Sequence, residues 1–184
     1  LRLAIDDADR VTRLVLVNAG GVTVGAVRLA LVGYGFAVAK ALVGHRVFTR
    51  RVARVGRLRR ASMWLFLHDP RTLSPQLAAE IIPRLPAVGL VDAVRAATAE
   101  VGRADPSDLR LPVLLVWGAH DRILPLRLAQ DLLEDLPDGR LEVVATAGHC
   151  PMIEAPVAFN EAVLGFLGQR APTQRADPPG SPAT

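Results

Sequence analysis

No stretch restricts the fold of this chain more than residues 111–125, LPVLLVWGAHDRILP. Pro112 to Trp117 is an unbroken apolar, partly β-branched run with no polar alternation. Such a run reads as a strand buried on both faces, as in a parallel sheet covered by helices on each side. Gly118 ends it, and a sharp turn then presents His120 and Asp121. Pro125 opens a helix in which Leu128, Leu132, Leu133 and Leu136 form one stripe at helical spacing. An acidic side chain just past the carboxyl end of a parallel strand stands where open α/β sheets bind their ligands.

After the turn Pro137-Asp138-Gly139 comes a second short apolar strand, 141–145 (LEVVA). It runs into Thr146-Ala147-Gly148-His149 and then CPMIEAP, where Pro156 opens a last helix. Phe159, Ala162, Val163, Phe166 and Leu167 fall on one face of that helix. If the two strands pair in parallel through a right-handed crossover by helix 126–136, both loops emerge on the same edge of the sheet. A carboxylate that orients an imidazole is two-thirds of a nucleophile–His–acid triad. Taken singly, Asp121 reads equally well as a turn or cap residue, and His149 as a loop histidine. Their order, and their place at consecutive strand ends, is what joins them.

WGAHDRILP followed by AGHCPMIEAP resembles the last two strands of a lidded α/β-hydrolase, of the esterase, C–C hydrolase and epoxide hydrolase kind. The resemblance implies that Asp121 is the triad acid and His149 the general base, with no cofactor. Residues 1–9 read as the tail of an amphipathic helix with Leu1, Ile5 and Ala8 on one side. A buried-type strand follows at 13–17 (RLVLV), stopped by Asn18-Ala19-Gly20-Gly21. This segment is similar to the one that follows the nucleophile elbow in the same family. The elbow itself is missing: the sequence holds no G-x-S-x-G, G-x-D-x-G or G-x-C-x-G, and its serines are Ser62, Ser74, Ser107 and Ser181. The expectation is therefore the C-terminal part of an α/β-hydrolase, with the elbow N-terminal to Leu1. Three adjacent parallel strands with flanking helices would occupy 1–21 and 109–170, with a helical cap at 22–108. Without its nucleophile such a piece is expected to be inactive; the alternative is a non-catalytic remnant or an apolar-ligand-binding module.

Between 21 and 108 helical spacing replaces strand-like runs. The apolar run 29–39 falls well short of the roughly 20 residues a membrane span needs, so it reads as a buried or lid helix. In 47–60, Arg46, Arg50, Arg54 and Arg57 line one side with Val47, Val55 and Leu58 opposite, a solvated face of an ordinary amphipathic helix. Residues 63–67 (MWLFL) are a dense apolar patch broken by His68-Asp69-Pro70. Trp64 and Phe66 either face a substrate pocket or form the cap's own core. Ser74 and Pro75 make an N-cap and first-turn pair for a helix up to Ile82, and a last cap helix is expected at 88–101. The proline-rich stretch 171–184 reads as a disordered tail.

Composition excludes other classes. With 51% hydrophobic residues the chain is no disordered segment, and 184 residues suffice for one sizeable core. The 22 basic residues are nearly balanced by 18 acidic ones and no nucleic-acid motif occurs, so a nucleic-acid partner is not expected and a membrane partner is disfavoured. A small apolar substrate is the expected partner. The lone Cys150 fits a reducing, cytoplasmic compartment. It is not read as a nucleophile, because side chains adjacent in sequence usually point apart. The four histidines, at 45, 68, 120 and 149, show no metal-ligand spacing.

Overall fold

The computed structural model describes residues 1–19, 52, 54–82, 92, 96 and 104–168. The apolar run 29–39, the helix expected at 88–101 (Asp92 and Ala96 apart, both helical) and the stretch 171–184 lie outside the described residues. Three strands form one parallel sheet in the order β1 (Leu14–Val17), β2 (Val113–Gly118), β3 (Gly139–Val144). Leu14 pairs with Val113, and Val113 with Gly139. This is the arrangement expected of a partial α/β-hydrolase sheet.

All six residues of β2 are buried. Val113, Leu115 and Trp117 face α1 (Arg2–Asp6) and α4 (Arg127–Asp135), through Ala4, Ala129, Leu132 and Leu136. Leu114 and Val116 face α6 (Pro156–Leu167), packing with Val144, Ala147 and Phe166. Helices on both faces explain why the strand carries no polar alternation. Burying each such side chain contributes roughly 1.5–3 kcal/mol, so β2 anchors the domain. Trp117 is fully buried and its indole N–H donates to the Leu124 carbonyl at 2.8 Å, which ties the following turn to the strand.

Some bounds and faces differ from the sequence expectations. β3 starts at Gly139 rather than 141, because pairing begins as the chain reverses: the Val113 N–H donates to the Asp138 carbonyl at 2.9 Å. The opening helix stops at Asp6 and a 3-10 turn, Ala8–Arg10, follows; Ala4 rather than Ala8 reaches the core. In α6, Phe166 is buried but Leu167 is half-exposed at 49%. Proline starts this helix as expected.

A second apolar cluster holds Val52, Met63, Leu67, Leu73, Ala78 and Ile82, from α2 (Gly56–Met63), α3 (Pro75–Ile81) and the chain between and beyond them. Arg54 and Arg57 are exposed as expected, yet so are Val55 and Leu58, whereas Val52 and Met63 are buried. Residues 46, 47 and 50 lie outside the described residues. The Ser74 hydroxyl caps α3 by accepting from the Leu77 N–H at 3.1 Å, with Pro75 in the first turn. Phe66 packs against both this cluster and the sheet's core. Trp64 belongs to neither cluster and is 57% exposed. Among the described residues no helix is long and apolar enough to cross a membrane.

Candidate active site

The site is built where the tips of β2 and β3 meet. A Cβ on Gly118 would fall 1.9 Å from the Gly148 carbonyl oxygen and 2.6 Å from that of Ala147. Only glycine therefore lets the two loops close on each other. They are stitched by the Ala119 N–H to the Val144 carbonyl (3.1 Å) and the His120 N–H to the Ala147 carbonyl (3.0 Å).

This closure brings Asp121 to His149, with Oδ2 2.8 Å from Nδ1. The Asp121 side chain is fully buried, whereas that of His149 is 25% exposed. The other carboxylate oxygen, Oδ1, accepts from the backbone N–H groups of Ile123 (2.8 Å) and Leu124 (2.9 Å). A carboxylate only accepts, so the short contact calls for a proton on Nδ1, and in the neutral ring Nε2 then keeps its lone pair. Charge-assisted hydrogen bonds of this kind are about twice as strong as neutral ones, which offsets burial of the carboxylate.

Three residues assigned no site role from the sequence complete the arrangement. Asn18 is buried at the end of β1, and its amide bonds both Asp121 and the Gly148 carbonyl. Glu154, in the short helix α5 (Pro151–Glu154), accepts from the Gly148 N–H (2.6 Å) and from the Asp69 N–H (3.1 Å). Arg122 donates to the carbonyls of Trp64 and Leu67, both at 2.7 Å, with its guanidinium 4.7 Å from the centre of the Trp64 ring. The His149 N–H itself donates to the Phe66 carbonyl at 2.8 Å. The segment 64–69 thus grips both loops. The only local hint was the glutamate inside AGHCPMIEAP; Asn18 and Arg122 bond partners far away in sequence.

The remaining candidates fall outside the pair. His120 is exposed and stacks on His68, ring centres 3.7 Å apart and planes 12° from parallel, so it is a turn residue held by the segment 64–69. Burial, reinforced by the negative charges of Glu154 and Asp121, pushes the Cys150 thiol up to about 11. That makes it a poor nucleophile near neutral pH. Among the described residues no group of three His, Cys, Asp or Glu side chains is placed to hold a metal ion.

Residues 2–162 match the sequence profile of the alpha/beta hydrolase family. A 2-hydroxy-6-oxononadienedioate/2-hydroxy-6-oxononatrienedioate hydrolase from a Pseudomonas species is 29% identical over 176 residues, covering 92% of this chain and 59% of its own. A putative carbamate hydrolase, RutD, from Azorhizobium caulinodans is 30% identical over 112 residues, covering 57% of this chain and 42% of its own. Among solved structures, a thermophilic esterase from Thermogutta terrifontis superposes with a TM-score of 0.62 at 20% identity, over 90% of this chain and 58% of that one. A meta-cleavage product hydrolase from Pseudomonas fluorescens superposes with the same TM-score at 21% identity, over 91% and 59%. The chain thus spans about three fifths of the length of the first of these relatives.

Proposed function

Because this chain belongs to the α/β hydrolase family, we propose that Asp121 and His149 are the acid and general base of a hydrolase acting on an ester or related bond of a small apolar substrate. The observation that carries this reading is the 2.8 Å contact between the buried carboxylate and the partly exposed imidazole. His149 Nε2 takes the proton from an attacking hydroxyl or water, and Asp121 holds the tautomer and stabilises the imidazolium that forms. The name of one relative, a putative carbamate hydrolase, adds carbamates to the bonds such a proton shuttle could serve.

Turnover needs two further parts, a nucleophile and an oxyanion hole. The sequence contains no G-x-S-x-G. We therefore place the nucleophile outside these 184 residues and expect the residues alone to be inactive on esters. We assign 1–21 and 109–170 to the hydrolase core and 22–108 to a cap, with a cytoplasmic location suggested by the single cysteine. The cap assignment is supported by the carbonyls of Trp64, Phe66 and Leu67, which bond Arg122 and His149 at the strand tips.

A chromogenic short-chain ester tests this in two steps. The chain alone should give no turnover above buffer; turnover abolished by His149→Ala would refute its inactivity. A chimera adding, ahead of Leu1, the segment of the Pseudomonas relative that precedes its match to this chain should hydrolyse the ester in a His149-dependent way. A folded, active chimera indifferent to His149→Ala would refute the assignment of the base. A second reading, a non-catalytic module for an apolar ligand, is favoured by the exposed Trp64 and Leu65. It would show as saturable tryptophan quenching by such a ligand with no turnover in the chimera.

A further inference from the structure

Asn18 ends β1 with φ at 41°, the single non-glycine residue among those described that lies in the left-handed region. Asparagine tolerates that conformation better than most side chains. The residue is only 5% exposed, and its amide is fully used. Oδ1 accepts from the Gly118 N–H at 3.2 Å, while Nδ2 donates to Asp121 Oδ2 and, at 3.1 Å, to the Gly148 carbonyl. These partners fix which way round the amide stands. Turned over, its oxygen would face a carboxylate and a carbonyl, and its NH2 would face an N–H.

The Asp121 carboxylate has about four lone-pair directions. Two backbone N–H groups fill those of Oδ1, and Asn18 and His149 share those of Oδ2. Remove the amide, and Oδ2 keeps one donor while the carboxyl group gains freedom to turn about its last bond. We propose that Asn18 is a positioning residue for the Asp121–His149 pair, an inference that rests on the acid–base reading above. Its amide aims one lone pair of Oδ2 at the imidazole, which keeps the proton on Nδ1 and the basic lone pair on Nε2. It also ties the strand β1 to the loops of the acid and the base, so that all three strand tips are in register at the site.

The test is nitrogen NMR of the histidine rings in the full 184-residue chain, with His149 assigned by its loss in His149→Gln. The unaltered chain should show a slowly exchanging Nδ1–H resonance for His149. In Asn18→Gly, glycine accepts the same φ without strain, so the amide is what is lost. The expected result is loss of the Nδ1–H resonance and a mixture of ring tautomers, with the backbone spectrum still that of the folded chain. A folded Asn18→Gly chain with an unchanged His149 signal would overturn the proposal, since a purely structural asparagine would lower stability but leave the tautomer alone. Absence of the resonance in the unaltered chain would instead overturn the acid–base reading itself. Should Asn18→Gly fail to fold, the exchange of the Asn18 side-chain amide protons in the unaltered chain decides. Strong protection supports the proposal, and exchange at the rate of an exposed amide refutes it.

Discussion

Replacing Asp121 by asparagine changes one oxygen for an NH2 and leaves shape almost untouched, so its effect isolates the hydrogen-bond pattern. The carboxylate accepts from four donors: the N–H groups of Ile123 and Leu124, the Asn18 amide and His149 Nδ1. An asparagine can keep the two backbone donors by turning its oxygen toward them. Its NH2 then faces two former donors. His149 can adapt by moving its proton to Nε2. Asn18 cannot, because turning its amide would orphan the Gly118 N–H and set its oxygen against the Gly148 carbonyl. The variant therefore loses charge-assisted bonds and leaves at least one buried donor unpaired, a cost of roughly 2–4 kcal/mol. For a domain of this size each kcal/mol lowers Tm by about 2–4 °C, so a fall of roughly 4–16 °C is expected. Thermal denaturation followed by circular dichroism measures it, and the histidine NMR signal should report the Nε2–H tautomer. A variant melting within a degree of the parent, with the proton still on Nδ1, would show that Asp121 does not organise this site.

Other outcomes follow from the same network. Glu154→Gln keeps one acceptor oxygen where two N–H groups, of Gly148 and Asp69, each have their own; a loss of about 1–3 kcal/mol is expected in urea unfolding, and an unchanged midpoint would contradict it. Arg122→Ala removes two bonds to carbonyls and the contact with the Trp64 ring. A loss of about 1–3 kcal/mol is expected, with Trp64 becoming easier to quench by iodide; unchanged quenching would show that the segment 64–67 is held by other means. For Cys150, a value raised from 9.0 to about 11 means roughly a hundredfold less thiolate at pH 8 than in the unfolded chain. Alkylation should be slower in native buffer than in denaturant by about that factor. The sign for stability follows. Between pH 9 and 11 the folded chain holds this proton and the unfolded chain releases it, so the contribution present below pH 9 is lost as pH rises toward 11. Equal alkylation rates in the two buffers would refute the burial that causes the shift.

Elements whose cause is local were legible in the amino-acid order. The double-sided burial of β2 is written in its unbroken apolar run, and the cap of α3 in Ser74 and Pro75, whose N–H partner is three residues on. The proximity of Asp121 and His149 was also legible, because one crossover of fixed hand joins the two strands that carry them. Amphipathic spacing marked apolar faces but not their covers, which is why Val55, Leu58 and Leu167 stand more exposed than their periodicity implied. Asn18 reaches Asp121 across 103 residues, and Arg122 reaches carbonyls 58 and 55 positions upstream. No local rule encodes such contacts. Periodicity and capping act within a few residues of chain, whereas the aim of a carboxylate depends on donors that strand register alone brings within reach.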